Sequence, residues 1–418
     1  MNLTDFVGKL KARKQELYDL LCELIRLDTQ DFMHSGLEKN AEEYLCAQIR
    51  ALGVEPDVYS PVDIPGFCEH PDFFDSRGVE DRINVSCVIP GSDHSRRLML
   101  CGHIDTMPIG DLANWTVEPQ KGIIRDGKIW GRGACDDKYA LATILFLLRV
   151  LHDEKIMLPY DLVFTAYCDE EMGGGNGALA ACLRYPCDDI LNMDCKNFDI
   201  WHTASGGGMF NLYIKADEGK DSAGAMLPGL VAMGEVMDEF RKRREAELNA
   251  YENYRGTIIP STSMRFTELR AGNGGMDLDT AFAEVTFYTD KTEKEWREEI
   301  ENVVKPALNE KLKPLGLHFD RAVMTTRFFH FMEGDEKNST IQTLSRVANK
   351  VSGRKVEPKA SCLSDLSLFM KYGSPRAISF GIGRDFFLYG GAHRPDEFIE
   401  CDVLEEYAAI VGGFLMEY

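Results

Sequence analysis

The sequence predicts an α/β protein interrupted by a smaller α+β insert, and three observations carry that reading. Apolar β-type runs alternate with helical patterns through the first 200 residues. Three of those runs end in a histidine or an acidic cluster: His103, Glu170-Glu171 and Asp194. After Trp201 the texture changes to the order βαββαβ, and the α/β texture returns near Phe328. The domain boundaries that follow are 1–206 and 327–418 for the two parts of one domain, with 207–326 inserted between them.

Composition limits the function classes. The chain has 418 residues, 44% of them hydrophobic and 28% charged, which suits a large soluble globular protein. A formal net charge of -21 argues against nucleic acid or an anionic membrane as partner, because both need basic surface. No apolar run approaches the ~20 residues that span a bilayer. Twelve cysteines are scattered without a Cys-x-x-Cys pair, and the first residues lack an apolar signal core. The expectation is a cytoplasmic protein with reduced, mostly buried thiols. Cys135 and Cys168 are read as small hydrophobes in tight places.

Residues 3–29 carry apolar positions at helical spacing, and Lys39 to Leu52 does the same before Gly53. Glu55 to Arg82 reads as strand plus long loop. Ile83 to Ile89 and Arg97 to Cys101 are β-type runs around the turn Pro90-Gly91-Ser92-Asp93. A helix over Asp137 to Asp153, a strand over Asp161 to Tyr167, a helix over Ala178 to Leu183 and a strand over Ile190 to Met193 follow. In the insert the strands are Met209 to Lys215, Ser261 to Arg270, Ala281 to Thr289 and Leu317 to Thr326. Its helices are Pro228 to Ala250 and Thr292 to Leu312. The last part has helices at Ser339 to Val351 and Leu366 to Tyr372, a strand at Arg376 to Phe380, and a final helix. Gly173 to Gly177 is read as a tight turn, because the Lys-Ser/Thr of a phosphate-binding loop is missing. Gly206-Gly207-Gly208 is read as a hinge.

Ligands collect at the carboxyl ends of strands in open α/β sheets, so the three clusters point to one site. The residues singled out are His103, Asp105, Asp136, Glu170, Glu171, Asp194 and His393. Two neutral imidazoles with carboxylates suit zinc, and also manganese or cobalt. Five ligands exceed one tetrahedral zinc and suit two metals sharing a carboxylate. In Glu170-Glu171 one side chain is free to bind metal while its neighbour acts as general base. Each of these residues alone has a bland reading. A single histidine is more often core or surface, and His34, His70, His94, His152, His202, His318 and His330 are read that way.

The constellation resembles the di-zinc metallohydrolases of aminoacylase, acetylornithine deacetylase, succinyl-diaminopimelate desuccinylase and carboxypeptidase G type, over essentially the full chain. Gly102-His103-Ile104-Asp105-Thr106, Trp115 to Lys138, Asp169-Glu170-Glu171, Asp194 and Ala392-His393 with Pro395-Asp396-Glu397 carry the resemblance. It implies a zinc-peptidase-like catalytic domain with an inserted lid that dimerises. It implies two zinc ions, one on His103 and Asp194, one on Glu171 and His393, with Asp136 bridging. Asp105 would hydrogen-bond and orient His103. Glu170 would be general base and then acid in the hydrolysis of a small-molecule amide, as in an N-acyl amino acid deacylase or a dipeptidase.

The chain departs from these relatives in the lid. Asp221 stands where the family has a histidine that helps hold the oxyanion. Asp277 and Asp290 stand where it has an asparagine and a carboxylate-gripping arginine. One reading shifts the register, so that Arg255, Arg265, Arg270 or Asn273 does the work. The other removes the carboxylate clamp and suits an acylated amine or polyamine. A reading of another class is a non-catalytic metal-binding protein on the same fold.

Overall fold

The computed structural model describes residues 1–220, 224–254, 263–272 and 278–418. The chain divides into two compact units. One comprises Met1–His202, Glu333–Ser361 and Leu368–Tyr418, the other Thr203–Met332 and Cys362–Ser367. Among the described residues no helix is long and apolar enough to cross a membrane.

The first unit is built on an eight-stranded mixed sheet. Its spatial order is Pro358–Ala360, Ile200–Thr203, Ile378–Phe380, Asp189–Asn192, Arg97–His103, Asp161–Tyr167, Asn84–Ile89 and Asp57–Tyr59. The central strands Arg97–His103, Asp161–Tyr167, Asp189–Asn192 and Ile378–Phe380 run parallel. They read as near-continuous apolar runs because both faces are covered. Asp161–Tyr167 is buried at every position. The helix Lys138–Asp153 is buried nearly all round, and the helices Lys14–Arg26 and Cys401–Glu417 pack into the same core. His103 lies opposite Tyr167 and Cys101 opposite Asn192, so the three strands end at one level.

A separate three-stranded sheet joins distant parts of this unit. Phe398–Glu400 pairs antiparallel with Lys128–Trp130, which pairs with Ile123–Arg125. Phe398 packs on Trp130 with ring centroids 4.6 Å apart.

The second unit has the predicted βαββαβ order. Gly206–Ala216, Met264–Ala271, Thr280–Thr289 and Leu317–Met324 form an antiparallel sheet in the spatial order second, third, first, fourth. Alternate residues Phe210, Leu212 and Ile214 join Ala283, Val285 and Phe287 against Met233, Val236, Phe240, Trp296 and Leu308 of the two helices. Phe287 stacks on Trp296 at 5.1 Å. The strand Met264–Ala271 pairs on one side only, and its positions after Met264 are exposed.

Several elements differ from the sequence reading, among them the short strands Ile123–Arg125, Lys128–Trp130 and Phe398–Glu400, which it did not include. The first helix breaks at Arg13 into Leu3–Ala12 and Lys14–Arg26, and the Arg13 side chain grips Glu16 and Asp153 there. The helix after Thr292 carries a π turn at Ile300–Val304, which ends two residues before Pro306, whose missing N–H disturbs the regular ladder. Gly206 to Gly208 is not a hinge but the start of a strand paired to Phe287, Tyr288 and Thr289. The glycines fit close backbone approach: a Cβ on Gly207 would lie 2.1 Å from the Phe287 carbonyl oxygen. Cys362–Ser367 groups with the second unit, where Arg327 donates to Ser364 and Ser367 and pairs with Asp365 at 2.7 Å.

Candidate metal centre

The level ends of the parallel strands bring the sequence clusters together. His103 is the last residue of its strand. Beyond Tyr167 the chain turns through Asp169, Glu170 and Glu171, and the Gly173 N–H bonds back to the Glu170 carbonyl at 2.7 Å. Of the stretch read as a tight turn, Gly173 to Gly175 form the connection, while Asn176 and Gly177 already belong to the helix Asn176–Arg184. Asp194 follows Met193, whose N–H donates to the Cys101 carbonyl at 2.7 Å. Asp136 and His393 arrive from the three-stranded sheet. There Gly131 N–H donates to the Glu397 carbonyl, and Glu397 accepts from the Cys135 N–H at 2.8 Å and from Arg132 at 2.7 Å.

The donor atoms of His103, Asp136 and Glu171 lie within 4.8 Å of one another. His103 Nε2 is 3.2 Å from Asp136 Oδ1, and His393 Nε2 is 3.2 Å from Asp136 Oδ2. His393 Nε2 is also 2.8 Å from Glu171 Oε2. The other Glu171 oxygen accepts from the Met107 N–H at 2.9 Å. Asp194 stands outside that trio, close enough for its charge to act on the neighbouring Asp137. The Glu170 carboxylate is close enough to favour a charge on His103.

Asp105 differs in detail from the expectation. His103 Nδ1 bonds to the Asp105 backbone carbonyl at 2.8 Å, while the carboxylate stays 3.7 Å away. The carboxylate turns instead to the N–H groups of Glu170 and Glu171, accepting both at 2.9 Å through Oδ2. Two converging backbone donors outcompete a ring nitrogen already satisfied by a carbonyl.

Asp221 and Asp277 lie outside the described residues, as do Arg255 and Asn273. Asp290 belongs to the second unit, where it accepts from the Tyr251 hydroxyl at 2.9 Å.

The residues fit a bound divalent cation on their own electrostatics. Burial opposes a charge on His103, yet the bond to Asp136 and the charge of Asp105 push its pKa well up. Burial likewise opposes a charge on His393, but Glu171 and Asp136 raise it to about 10. Burial pushes Glu171 up, and Asp136 adds to that push. Carboxylates outnumber cations in this buried pocket, so it demands positive charge, as a proton or as a metal ion. Two imidazoles with carboxylates are a mixed N/O donor set suited to such an ion.

Sequence reasoning missed Arg77, Arg82, Asp31 and Glu38, all fully buried behind Asp169. They lie in or near segments read as loop, and a buried ion pair leaves no periodic signal. Glu397 was quoted only as part of a motif.

Comparison with known proteins agrees with this geometry. The model of "Peptidase family M20/M25/M40" matches residues 99–417. An uncharacterized metallohydrolase of Methanocaldococcus jannaschii is 22% identical over 95% of this chain and 98% of its own. N-formyl-4-amino-5-aminomethyl-2-methylpyrimidine deformylase of Halalkalibacterium halodurans is 30% identical over 42% of this chain and 44% of its own. The fold is similar to that of the di-peptidase Dug1p of Saccharomyces cerevisiae, with a TM-score of 0.74 and 15% identity, covering 100% of this chain and 98% of that one. The chain belongs to peptidase family M20/M25/M40, metal-dependent hydrolases that act on amide bonds.

Proposed function

We propose that the protein hydrolyses the amide bond of an N-acyl amino acid or a dipeptide at a two-metal centre. The observation that carries this reading is the pair of 3.2 Å contacts from His103 and His393 to opposite oxygens of Asp136. A carboxylate addressed from both sides suits a bridge. His103 and Asp194 would hold one ion, Glu171 and His393 the other, with zinc first and cobalt or manganese as substitutes. When bound, such ions polarise the amide carbonyl and acidify water. Glu170 takes the proton of the attacking water and returns it to the leaving amine. Asp105, anchored to the Glu170 and Glu171 N–H groups, keeps the base and the neighbouring ligand in register. The insert, 207–326, acts as lid and dimerisation domain, its exposed edge strand Met264–Ala271 offering the pairing surface.

A second reading takes an acylated amine without a free carboxylate. Asp290 is acidic where the resemblance expects an arginine, and the deformylase relative is named for an N-formyl amine. A hydrolysis screen with zinc, manganese or cobalt decides, using N-acyl amino acids, dipeptides and N-acyl or N-formyl amines. Preference for free-carboxylate substrates supports the first reading, and preference for amines supports the second. Glu170→Ala should lose roughly 10²–10⁴-fold in kcat with metal content intact. A metal-loaded protein that cleaves no amide in the panel overturns both readings.

A further inference from the structure

We propose that Arg77 is a positioning residue of the metal centre, locking the strand end and following segment that carry His103 and Asp105 to the turn that carries Glu170 and Glu171. The proposal rests on the reading of this centre as a metal-dependent amide hydrolase.

Arg77 is fully buried and has four oxygen acceptors within reach of its fork. Its Nη2 donates to both oxygens of Asp31, at 2.8 and 2.7 Å. Its Nε donates to Asp169 Oδ1 at 2.9 Å, and its Nη1 to the Met33 carbonyl at 2.6 Å. Each of the two carboxylates leads directly to the centre. The Asp31 N–H donates to the Thr106 carbonyl at 2.8 Å, one residue past Asp105. Asp169 immediately precedes Glu170. The circuit closes on the other side, where Asp105 accepts from the Glu170 and Glu171 N–H groups. Arg77 therefore sits in a ring of contacts: Asp31, the 105–106 backbone, the 170–171 backbone, Asp169, and back.

The surroundings leave that ring little freedom. Asp169 holds a positive φ of 67°, and its second oxygen accepts from Asn176 Nδ2 at 2.7 Å. A Cβ on Gly174 would lie 2.0 Å from Asp169 Oδ2, so the carboxylate fills the space under the turn. Arg82 supports the same carboxylates, bonding Asp31 and Glu38 and lying 3.5 Å from Asp169. Two guanidinium groups and three carboxylates, all with no exposed side chain, are a costly thing to bury. A planar fork reaches two carboxylates at once, and a lysine ammonium lacks that geometry. The ring's contacts end beside residues the centre uses, so a shift in it moves a ligand or the base. Reaction rates are sensitive to displacements of about 1 Å.

The test uses the full chain with Arg77→Lys and Asp31→Asn, each checked for folding by circular dichroism. Zinc affinity is measured by chelator competition, and kcat and KM with the substrate found for the wild type. The expected result is a roughly 10- to 100-fold loss in metal affinity or kcat, the range for residues that orient ligands, with KM little changed. A folded Arg77→Lys with wild-type zinc affinity and kcat overturns the proposal. So does a variant whose metal-free melting temperature falls while zinc affinity and kcat stay unchanged, because that marks a purely structural role. If Arg77→Lys fails to fold, Asp31→Asn, which keeps the side-chain shape, is judged by the same two outcomes. If the wild type cleaves no amide, the hydrolase reading fails while the affinity comparison still decides the role of Arg77.

Discussion

Removing Glu397 should destabilise the protein by an amount the surrounding contacts set. Glu397 has no exposed surface and carries two jobs, one per oxygen: Arg132 at 2.7 Å and the Cys135 N–H at 2.8 Å. Arg132 is 4% exposed, so Glu397→Ala leaves a buried guanidinium without its counter-ion. Breaking such a pair costs roughly 3–5 kcal/mol. The lower end applies, because Arg132 keeps the Pro108 carbonyl at 3.2 Å, the Arg394 carbonyl at 3.4 Å and the face of Trp115 at 5.2 Å. An orphaned Cys135 N–H adds about 1 kcal/mol. The sum is about 4 kcal/mol for Glu397→Ala. Glu397→Gln keeps an acceptor for one partner only and should cost about 2 kcal/mol, the value of a charged hydrogen bond. Urea titration of metal-free protein reads both values through the midpoint at constant slope. A Glu397→Ala within 1 kcal/mol of the wild type, or a Glu397→Gln as damaging as the alanine, would refute the reasoning.

Three further outcomes are expected. Chelation should abolish hydrolysis and added zinc restore it, with the metal raising stability by about 2.7 kcal/mol at 100 times its Kd; activity surviving exhaustive chelation contradicts the metal requirement. Burial holds the His202 pKa below its ordinary value, so the unfolded chain binds its proton first as pH falls. Stability is then lost on acidification below about pH 6.5, and His202→Gln should show a shallower loss between pH 7 and 5 in thermal melts, which an unchanged slope would exclude. Phe266→Lys and Leu269→Lys place charges on the exposed edge strand and should shift a dimer toward monomer in light scattering. A wild type that is monomeric, or mutants that stay dimeric, counts against pairing through that edge.

The parts of this molecule that follow a period were legible in the sequence, and the parts that follow charge were not. Asp161–Tyr167 emerged with its bounds intact because seven buried positions leave an uninterrupted apolar run. His103, Glu171 and Asp194 stood out because each closes such a run, and parallel strands end at one level. The insert's order was readable because Phe210, Leu212 and Ile214 alternate with less buried neighbours. Asp105 shows the limit: its place beside His103 was visible, but which atom served the ring was not, since carbonyl and carboxylate of one residue compete for the same nitrogen. Arg77 and Arg82 look like loop charges until the fold closes over them. The break at Arg13 was equally silent, because both halves keep the helical period.

The three-stranded sheet also fixes when the protein becomes competent. Asp136 follows its middle strand, and His393 precedes the strand Phe398–Glu400 that pairs with it. A chain leaving the ribosome carries His103, Asp136 and Glu171 long before Phe398–Glu400 is made. Until Phe398–Glu400 docks, His393 has no defined place beside Asp136 and the excess of carboxylate lacks one of its two imidazoles. A chain cut before His393 therefore lacks one of the two imidazoles that meet Asp136, whatever else of it folds.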